Sequence, residues 1–289
     1  MPSYNITYPK NGNVQWHLMK QIPHILKTIK TEHSLIQEII QKENIDGIIS
    51  DNRFGVWSES VPSVYITHQI KVLSGLTTFL SSYFHHKILH KFGECWIPDS
   101  PLQNLAGKLA SKNGLKIPIK YIGSISRLKY QKLPIEYDIC VLLSGPEPQR
   151  TVLENILLNE FQAYKGSICF IRGVISDTAA FKSKLPFTFF NYLTTQDLNN
   201  IINQSELIIA RSGYSTILDL ACLGKKAFFI PTPGQTEQEY LAKNFKLKGI
   251  APFCKQPEFK LQKLDVLKNY SGFTVQENQI NPSLFNLFT

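Results

Sequence analysis

The chain has 289 residues and a formal net charge of +9, with 31 Lys and Arg against 22 Asp and Glu. This length predicts two domains, and 43% hydrophobic with 18% charged residues is typical of a globular protein. The charge forms no dense basic tract, so we expect no nucleic-acid partner. A general attraction for anionic substrates or an anionic membrane surface is the milder interpretation.

The five cysteines are widely spaced and form no C-x-x-C pair, so neither a disulfide framework nor a zinc site is indicated. No apolar stretch of the sequence has the length of a membrane span, and the N-terminal residues lack the pattern of a signal peptide. We therefore expect a cytoplasmic protein in a reducing compartment.

The first half of the chain mixes helical and strand patterns. Apolar residues recur at helical spacing from Val14 to Asn44, with an interruption expected at Pro23. A second helical stretch spans residues 73–92. Short apolar runs predict strands at 45–49, 63–67, 94–97 and 120–123.

The second half alternates strands and helices more regularly. Apolar runs predict strands at 138–143, 167–171, 187–191, 207–210 and 227–230, and a weak one at 250–253. Such alternation predicts an α/β fold with a parallel, doubly wound sheet. We place the domain boundary within 123–136 and assign residues 1–125 and 126–289 to two domains.

Loop 211–216 is the first candidate site, because ligands of such sheets bind beyond the carboxyl ends of the strands. Gly213 permits close approach of a ligand, and the hydroxyls of Ser212, Ser215 and Thr216 suit phosphate oxygens at a helix N-terminus. Plain helix capping without a ligand is the alternative.

Asp219 follows on the same helix, four residues after Ser215 and therefore on the same side. A carboxylate at that place can accept both hydroxyls of a ribose, although a solvated helix carboxylate is equally compatible. Loop 231–239 adds a polar cluster that suits a sugar. The helix dipole explains its acids, Glu237 and Glu239, but leaves Gln235 and Gln238 unexplained.

Loop 144–150 is a third candidate, in which Ser144 and Gly145 end a strand and Arg150 follows in the next helix. This arrangement suits a diphosphate, although two prolines remove N–H donors from the loop. Arg172 follows the next strand at the same edge, where it either faces the ligand or belongs to a surface turn.

Asp51 and His68 each follow a strand in the first half. If those strands are parallel neighbours, the two side chains lie at one edge and can share general-base work on an acceptor hydroxyl. A structural hydrogen-bonding role for His68 is the alternative. The helix at 73–92 is basic and amphipathic, which is compatible with lying on a membrane, although a normal domain helix with a polar face is the favoured interpretation.

The motifs Arg211–Asp219, Leu223–Lys226, Ile230-Pro231 and Glu237–Tyr240 together resemble the C-terminal domain of glycosyltransferase family 28. The resemblance implies a GT-B fold of two Rossmann-like domains with parallel sheets. It also implies a nucleoside-diphosphate sugar, usually UDP-linked, held by the C-terminal domain, and an acceptor bound by the N-terminal one. Neither a metal ion nor another cofactor is implied.

The resemblance also assigns roles to individual residues. Asp219 stands where the family has a glutamate on the ribose, and Gln238 and Glu239 stand where it has a Gln-Gln pair on the sugar. The glutamate at 239 leaves the identity of the sugar open. The predicted donor-binding residues are Ser144, Gly145, Arg150, Arg172, Arg211, Ser212, Gly213, Ser215, Thr216, Asp219, Gln235, Glu237, Gln238 and Glu239.

One departure concerns the N-terminal domain, which lacks the family's opening strand and Gly-rich loop. Three explanations are open: a start upstream of Met1, a partner subunit that supplies the missing part, or an inactive chain. The sequence thus predicts a glycosyltransferase that moves a hexose or N-acetylhexosamine to a glycan or lipid-linked acceptor, peripheral at the inner face of the membrane if the basic helix contacts it. The alternatives are a non-catalytic nucleotide-sugar-binding half and a UDP-sugar epimerase.

Overall fold

Two parallel sheets, one of four strands and one of five, organise the chain into separate units. The computed structural model describes residues 2, 4, 14–72, 78–112, 114–175, 185–275 and 281–289, with the backbone alone for 14–20 and 78–81. The first unit comprises Met1–Gly123 and Gln279–Thr289, and the second comprises Ser124–Asn278. Both sheets are parallel throughout, as the sequence predicted.

The first sheet has the order β1-β2-β3-β4. Its strands are β1 Ile48–Asp51, β2 Ser63–Ile66, β3 Glu94–Ile97 and β4 Ile119–Tyr121. Helix α1, Val14–Glu43, packs Ile36 against Ile48 and Val56, and helix α2 spans Thr78–Leu89. The interruption predicted at Pro23 is wrong, since α1 continues through it. Residues 73–77 of the predicted second helix lie outside the described residues.

The C-terminal segment belongs to the first unit, which differs from the predicted assignment of 126–289 to one domain. A short 3-10 helix, Pro282–Phe288, places Leu284 in a core cluster with Val64, Trp96 and Ile122. The ring of Phe285 lies edge-on to that of Trp96, with centroids 5.7 Å apart. Apolar contact with the first sheet therefore holds this segment.

The second sheet has the order β7-β6-β5-β8-β9. Its strands are β5 Tyr137–Leu142, β6 Ile168–Ile171, β7 Thr188–Phe190, β8 Ser205–Ala210 and β9 Lys226–Phe229. Its helices are α3 Gln149–Glu160, α4 Thr195–Asn203, α5 Tyr214–Leu223 and α6 Thr236–Leu247. The weak strand predicted at 250–253 is reduced to one bridge between Phe229 and Phe253.

Residues 124–136, within the range predicted to hold the domain boundary, are attached to the second unit. The Lys129 amide donates to Asn199 Oδ1 (2.8 Å), and the Gln131 amide donates to Asn203 Oδ1 (3.0 Å). In turn, Asn203 Nδ2 donates a hydrogen bond to the Lys129 carbonyl (3.0 Å). These buried amides fix the segment along α4.

All five cysteines are free and buried, so they act as small core residues. Among the helices of the described ranges, none is both long and apolar enough to cross a membrane.

Candidate functional site: the carboxyl edge of the second sheet

Four loops meet the carboxyl edge of the second sheet. They follow β5, β6, β8 and β9, whose parallel pairing places all four strand ends on the same side. Most of the predicted donor-binding residues lie in these loops or in the first turns of α5 and α6. The predicted convergence of the loops is therefore present in the fold.

The N-terminus of α5 is open to a ligand. Its N-cap is Gly213, with ordinary dihedral angles of φ −72° and ψ 144°, and no side chain caps the helix. Among the described residues, a Cβ atom added at Gly213 would meet nothing within 4 Å. Neither the backbone nor the packing therefore requires glycine here, and the first turn of α5 begins beside this space. Ser215 is exposed and Thr216 half-buried in that turn.

Arg211 and Ser212 precede this glycine but are turned into the protein. Arg211 is 1% exposed, and its guanidinium donates to backbone carbonyls, including that of Ile230 at 2.9 Å. Ser212 is fully buried, and its Oγ donates to the Gln238 carbonyl (2.7 Å). Both residues were predicted to bind the donor, and the structure gives them positions behind the loop instead.

The loop between β9 and α6 is held by the side chains of α6. Gln238 Oε1 accepts the Thr232 amide (2.8 Å), and Glu239 Oε1 accepts the Gly234 amide (3.3 Å). Gln238 therefore holds the loop in shape. This contact accounts for the glutamine at position 238, which the helix dipole left unexplained. Gln235 is the N-cap of α6 and half-buried, as is Glu237, while Glu239 is exposed.

Thr232 was not selected from the sequence, because a hydroxyl in a proline-rich loop carries no distinctive signal. It is 3% exposed, and among the described residues its Oγ1 has no hydrogen-bond partner. A Cβ at Gly145, which has φ +99°, would lie 3.7 Å from that Oγ1. The loops after β5 and β9 therefore adjoin, with Ser144 and Gly145 exposed at the rim.

Arg150 and Arg172 share one buried carboxylate, Glu154. Arg150 Nη1 lies 3.0 Å from Glu154 Oε2, and Arg172 pairs with Glu154 through Nε and through Nη2 at 3.2 Å. Arg150 also pairs with Glu147 (2.5 Å), and Arg172 donates to Asn191 Oδ1 (2.8 Å). Both arginines were predicted to add charge to a diphosphate site, but carboxylates already neutralise them, so they act as supports of the loop after β5.

Asp219 lies half-buried on α5, and its Oδ1 accepts the Ser126 hydroxyl (2.5 Å). Burial raises the pKa of Asp219, while the Ser126 hydroxyl and the charge of Arg127 act in the opposite direction. The carboxylate thus contacts the segment that precedes β5.

In the first unit, Asp51 and His68 lie at the carboxyl edge of adjacent parallel strands, as the sequence predicted. Asp51 is paired in register with Ile66, two residues before His68. Asp51 is exposed and His68 half-buried. The loop after Asp51 rests on the fully buried Glu32, which pairs with Arg53 and accepts the Gly55 amide (3.0 Å).

Across the ranges that the structure describes, no group of three or more His, Cys, Asp or Glu side chains is arranged to hold a metal ion.

Residues 172–269 match the family model of the glycosyltransferase family 28 C-terminal domain. The chain is 25% identical over 209 residues to the UDP-N-acetylglucosamine--N-acetylmuramyl-(pentapeptide) pyrophosphoryl-undecaprenol N-acetylglucosamine transferase of Buchnera aphidicola subsp. Schizaphis graminum, which covers 70% of this chain and 55% of that protein. The transferase of the same name from Haemophilus ducreyi is 21% identical over 260 residues, covering 83% and 70%. The chain thus spans about half the length of the Buchnera relative.

Among solved structures, the glycotransferase of kitacinnamycin gives a TM-score of 0.61 at 12% identity, covering 91% of this chain and 76% of that one. MurG of Acinetobacter baumannii gives 0.54 at 14% identity, covering 91% and 78%. At such identities the likeness concerns the fold, which is the predicted GT-B fold. Within the second unit, residues 172–269 thus match the C-terminal domain of glycosyltransferase family 28, as the resemblance predicted.

Proposed function

We propose that this chain transfers N-acetylglucosamine from a UDP-linked donor to a lipid-linked acceptor. The observation that carries the proposal is the open N-terminus of α5, where Gly213 is demanded by neither dihedral angles nor packing. It lies within the segment that matches the family domain. The relatives named for this transfer align with much of the chain.

The donor diphosphate would lie against the first turn of α5, where N–H groups and the helix dipole favour an anion. Ser215 and Thr216 offer hydroxyls beside it. Asp219 would accept the ribose hydroxyls, since it lies one turn further along the same helix. The loop that Gln238 and Glu239 hold in shape would face the sugar. Stabilising the diphosphate in this way lowers the barrier, because negative charge accumulates on the leaving group.

In the transfer, a base takes the proton of the acceptor hydroxyl, whose oxygen then bonds to the anomeric carbon of the sugar. The bond from that carbon to the diphosphate oxygen breaks, and UDP leaves with its electrons. Asp51 and His68 are the candidates for the base, because both lie at the carboxyl edge of the first sheet.

We test the donor assignment with Asp219→Ala and with 2′-deoxy-UDP, which lacks one ribose hydroxyl. For the wild type we expect UDP to bind about tenfold more tightly than its deoxy analogue, because a hydrogen bond to a charged group contributes about 1.5 kcal/mol or more. For Asp219→Ala the two ligands should bind alike. Ser126→Ala, which removes the hydroxyl that Asp219 accepts, is the control and should keep the preference.

The same titrations and a turnover assay separate the alternatives. Release of UDP from UDP-N-acetylglucosamine only when a polyprenyl-diphosphate-linked acceptor is present supports a transferase. Epimerisation of the donor without an acceptor would support the epimerase, and tight UDP binding without turnover would support a non-catalytic binding half. Failure of the wild type to bind UDP would refute the proposal as a whole.

A lipid-linked acceptor calls for contact with a membrane, and α2 offers a surface for it. Tyr83 and Phe84 are 58% and 56% exposed on this helix, and the exposed cations Lys87 and Lys91 follow them. Aromatic side chains beside cations are typical of an interfacial helix on anionic lipid.

Replacing Tyr83 and Phe84 together by alanine should lower binding to vesicles containing phosphatidylglycerol by about tenfold, because apolar area no longer inserts. Co-sedimentation measures the effect. Tyr192→Ala removes a similarly exposed aromatic residue (63%) from the second unit and serves as the control. Equal binding of the double variant and the wild type would contradict the assignment of α2.

A further inference from the structure

Arg211 ties together four segments at the carboxyl edge of the second sheet. It follows β8 directly, and its Nη1 donates to the carbonyls of Ile230 (2.9 Å) and Pro231 (3.1 Å) after β9. Its Nη2 donates to the Gln149 carbonyl (2.9 Å) at the start of α3 and to Gln256 Oε1 (2.6 Å). The planar fork of the guanidinium allows one side chain to meet all four acceptors.

The fourth contact extends the clamp beyond the sheet. Gln256 begins a short 3-10 helix, Gln256–Glu258, and is 4% exposed. Its Nε2 donates to Gln149 Oε1 (3.0 Å), so the start of α3 is held by both partners. The loop after β5 leads directly into that turn, and the loop after β9 begins at the two carbonyls that Arg211 binds.

Among the described residues, the charge of Arg211 has no carboxylate partner. All four acceptors are neutral, and none of the ion pairs within the described part of the chain involves Arg211. Its Nε is buried and, among the same residues, without a hydrogen-bond partner. Burial lowers the pKa of Arg211 to about 10, so the side chain is still protonated at neutral pH. Such a charge is costly to bury.

Resting on the proposed function, we infer that Arg211 is a positioning residue of the donor site. It holds the loops after β5, β8 and β9 in their binding arrangement, and its unpaired buried charge favours ligands that carry a diphosphate. A nearby anion offsets part of the cost of the buried charge, because screening is weak in the interior. A neutral nucleoside gains no binding energy from the charge of Arg211.

Two substitutions separate the clamp from the charge. Arg211→Lys keeps the charge and loses the fork, while Arg211→Met keeps an unbranched apolar stem and loses both. Lys225→Met is the matched control: Lys225 Nζ donates to the carbonyls of Asn203 (2.7 Å) and Ser205 (2.9 Å) at the opposite edge of the same sheet. It therefore also releases buried carbonyls, but away from the candidate site.

For each variant, titration calorimetry and competition binding experiments measure the affinities for UDP and for uridine. We expect Arg211→Met to lower the preference for UDP over uridine by about tenfold, since one charge interaction across the protein interior is lost. Arg211→Lys and Lys225→Met should keep that preference. A folded Arg211→Met variant that retains the wild-type preference overturns the role of the charge.

Hydrogen exchange without ligand tests the clamp independently of any binding. Amides in 146–153, 231–239 and 254–259 should exchange faster in both Arg211 variants and at the wild-type rate in Lys225→Met. Unchanged exchange in Arg211→Met overturns the clamp. If the wild type binds neither UDP nor uridine, the proposed function and the charge role fail together, while faster exchange at these loops still supports the clamp.

Discussion

Replacing Gly213 by leucine should weaken UDP binding by tenfold to a hundredfold, on the order of 1–3 kcal/mol, and leave the fold intact. The dihedral angles at this position suit any residue, and a Cβ there meets no atom of the described part of the chain within 4 Å. The only space that a larger side chain fills is the space beside the first turn of α5. Titration calorimetry with UDP measures the loss, and thermal unfolding should show a change of about 1 kcal/mol or less.

The series Gly213→Ala, Gly213→Val and Gly213→Leu provides a graded test, because each step fills more of the open space. Gly93→Ala is the control: the added Cβ lies at an ordinary 3.5 Å from the Ser63 carbonyl, in the first unit. A leucine variant with wild-type affinity for UDP would show that the diphosphate does not bind at α5.

Replacing Glu154 by alanine should destabilise the second unit by about 3–5 kcal/mol, the usual cost of leaving a buried charge without its partner. Glu154 is 4% exposed in its side chain and lies between Arg150 and Arg172, whose side chains are 7% and 14% exposed. Without it, both guanidinium groups lose the buried carboxylate that they share, and Arg150 keeps its pair with the partly exposed Glu147. Urea unfolding of the variant measures the loss.

Glu160→Ala is the matched control for Glu154→Ala, because Glu160 lies on the same helix. It pairs with Lys260, whose side chain is 65% exposed, at 2.8 Å. Pairs of this kind contribute about 1 kcal/mol or less. Similar losses for the two variants would indicate that the Glu154 network is no more buried in solution than a surface pair.

The parallel sheets were predictable because buried strands of such sheets are continuous apolar runs. The run predicted at 207–210 is the continuously buried part of β8, and the runs predicted at 138–143 and 227–230 lie within one residue of β5 and β9. Gly213 was also expected after β8, where it begins α5, whereas the donor-binding roles of Gly213 and Asp219 stay predictions. These features depend on neighbours close in sequence.

The roles of the arginines were not predictable in the same way. A positive charge beside a glycine-containing loop resembles an anion site, but the acceptors of Arg211 lie 19, 20, 45 and 62 residues away. Glu154, which pairs with Arg172, lies 18 residues away in the sequence. Whether such a charge binds a ligand or pairs within the protein depends on its burial and on partners that are distant in sequence. The pattern of a single sequence shows neither the burial nor those partners.

The attachment of the C-terminal segment to the first unit reverses the usual order in which domains are completed during synthesis. The second unit, Ser124–Asn278, is one uninterrupted stretch, and all of its strands have been made when residue 278 is added. The first unit begins at Met1 but still lacks Leu284, Leu287 and Phe288 from its apolar cluster around Trp96 at that moment. The first unit therefore receives these core residues only after every strand of the second unit has been made.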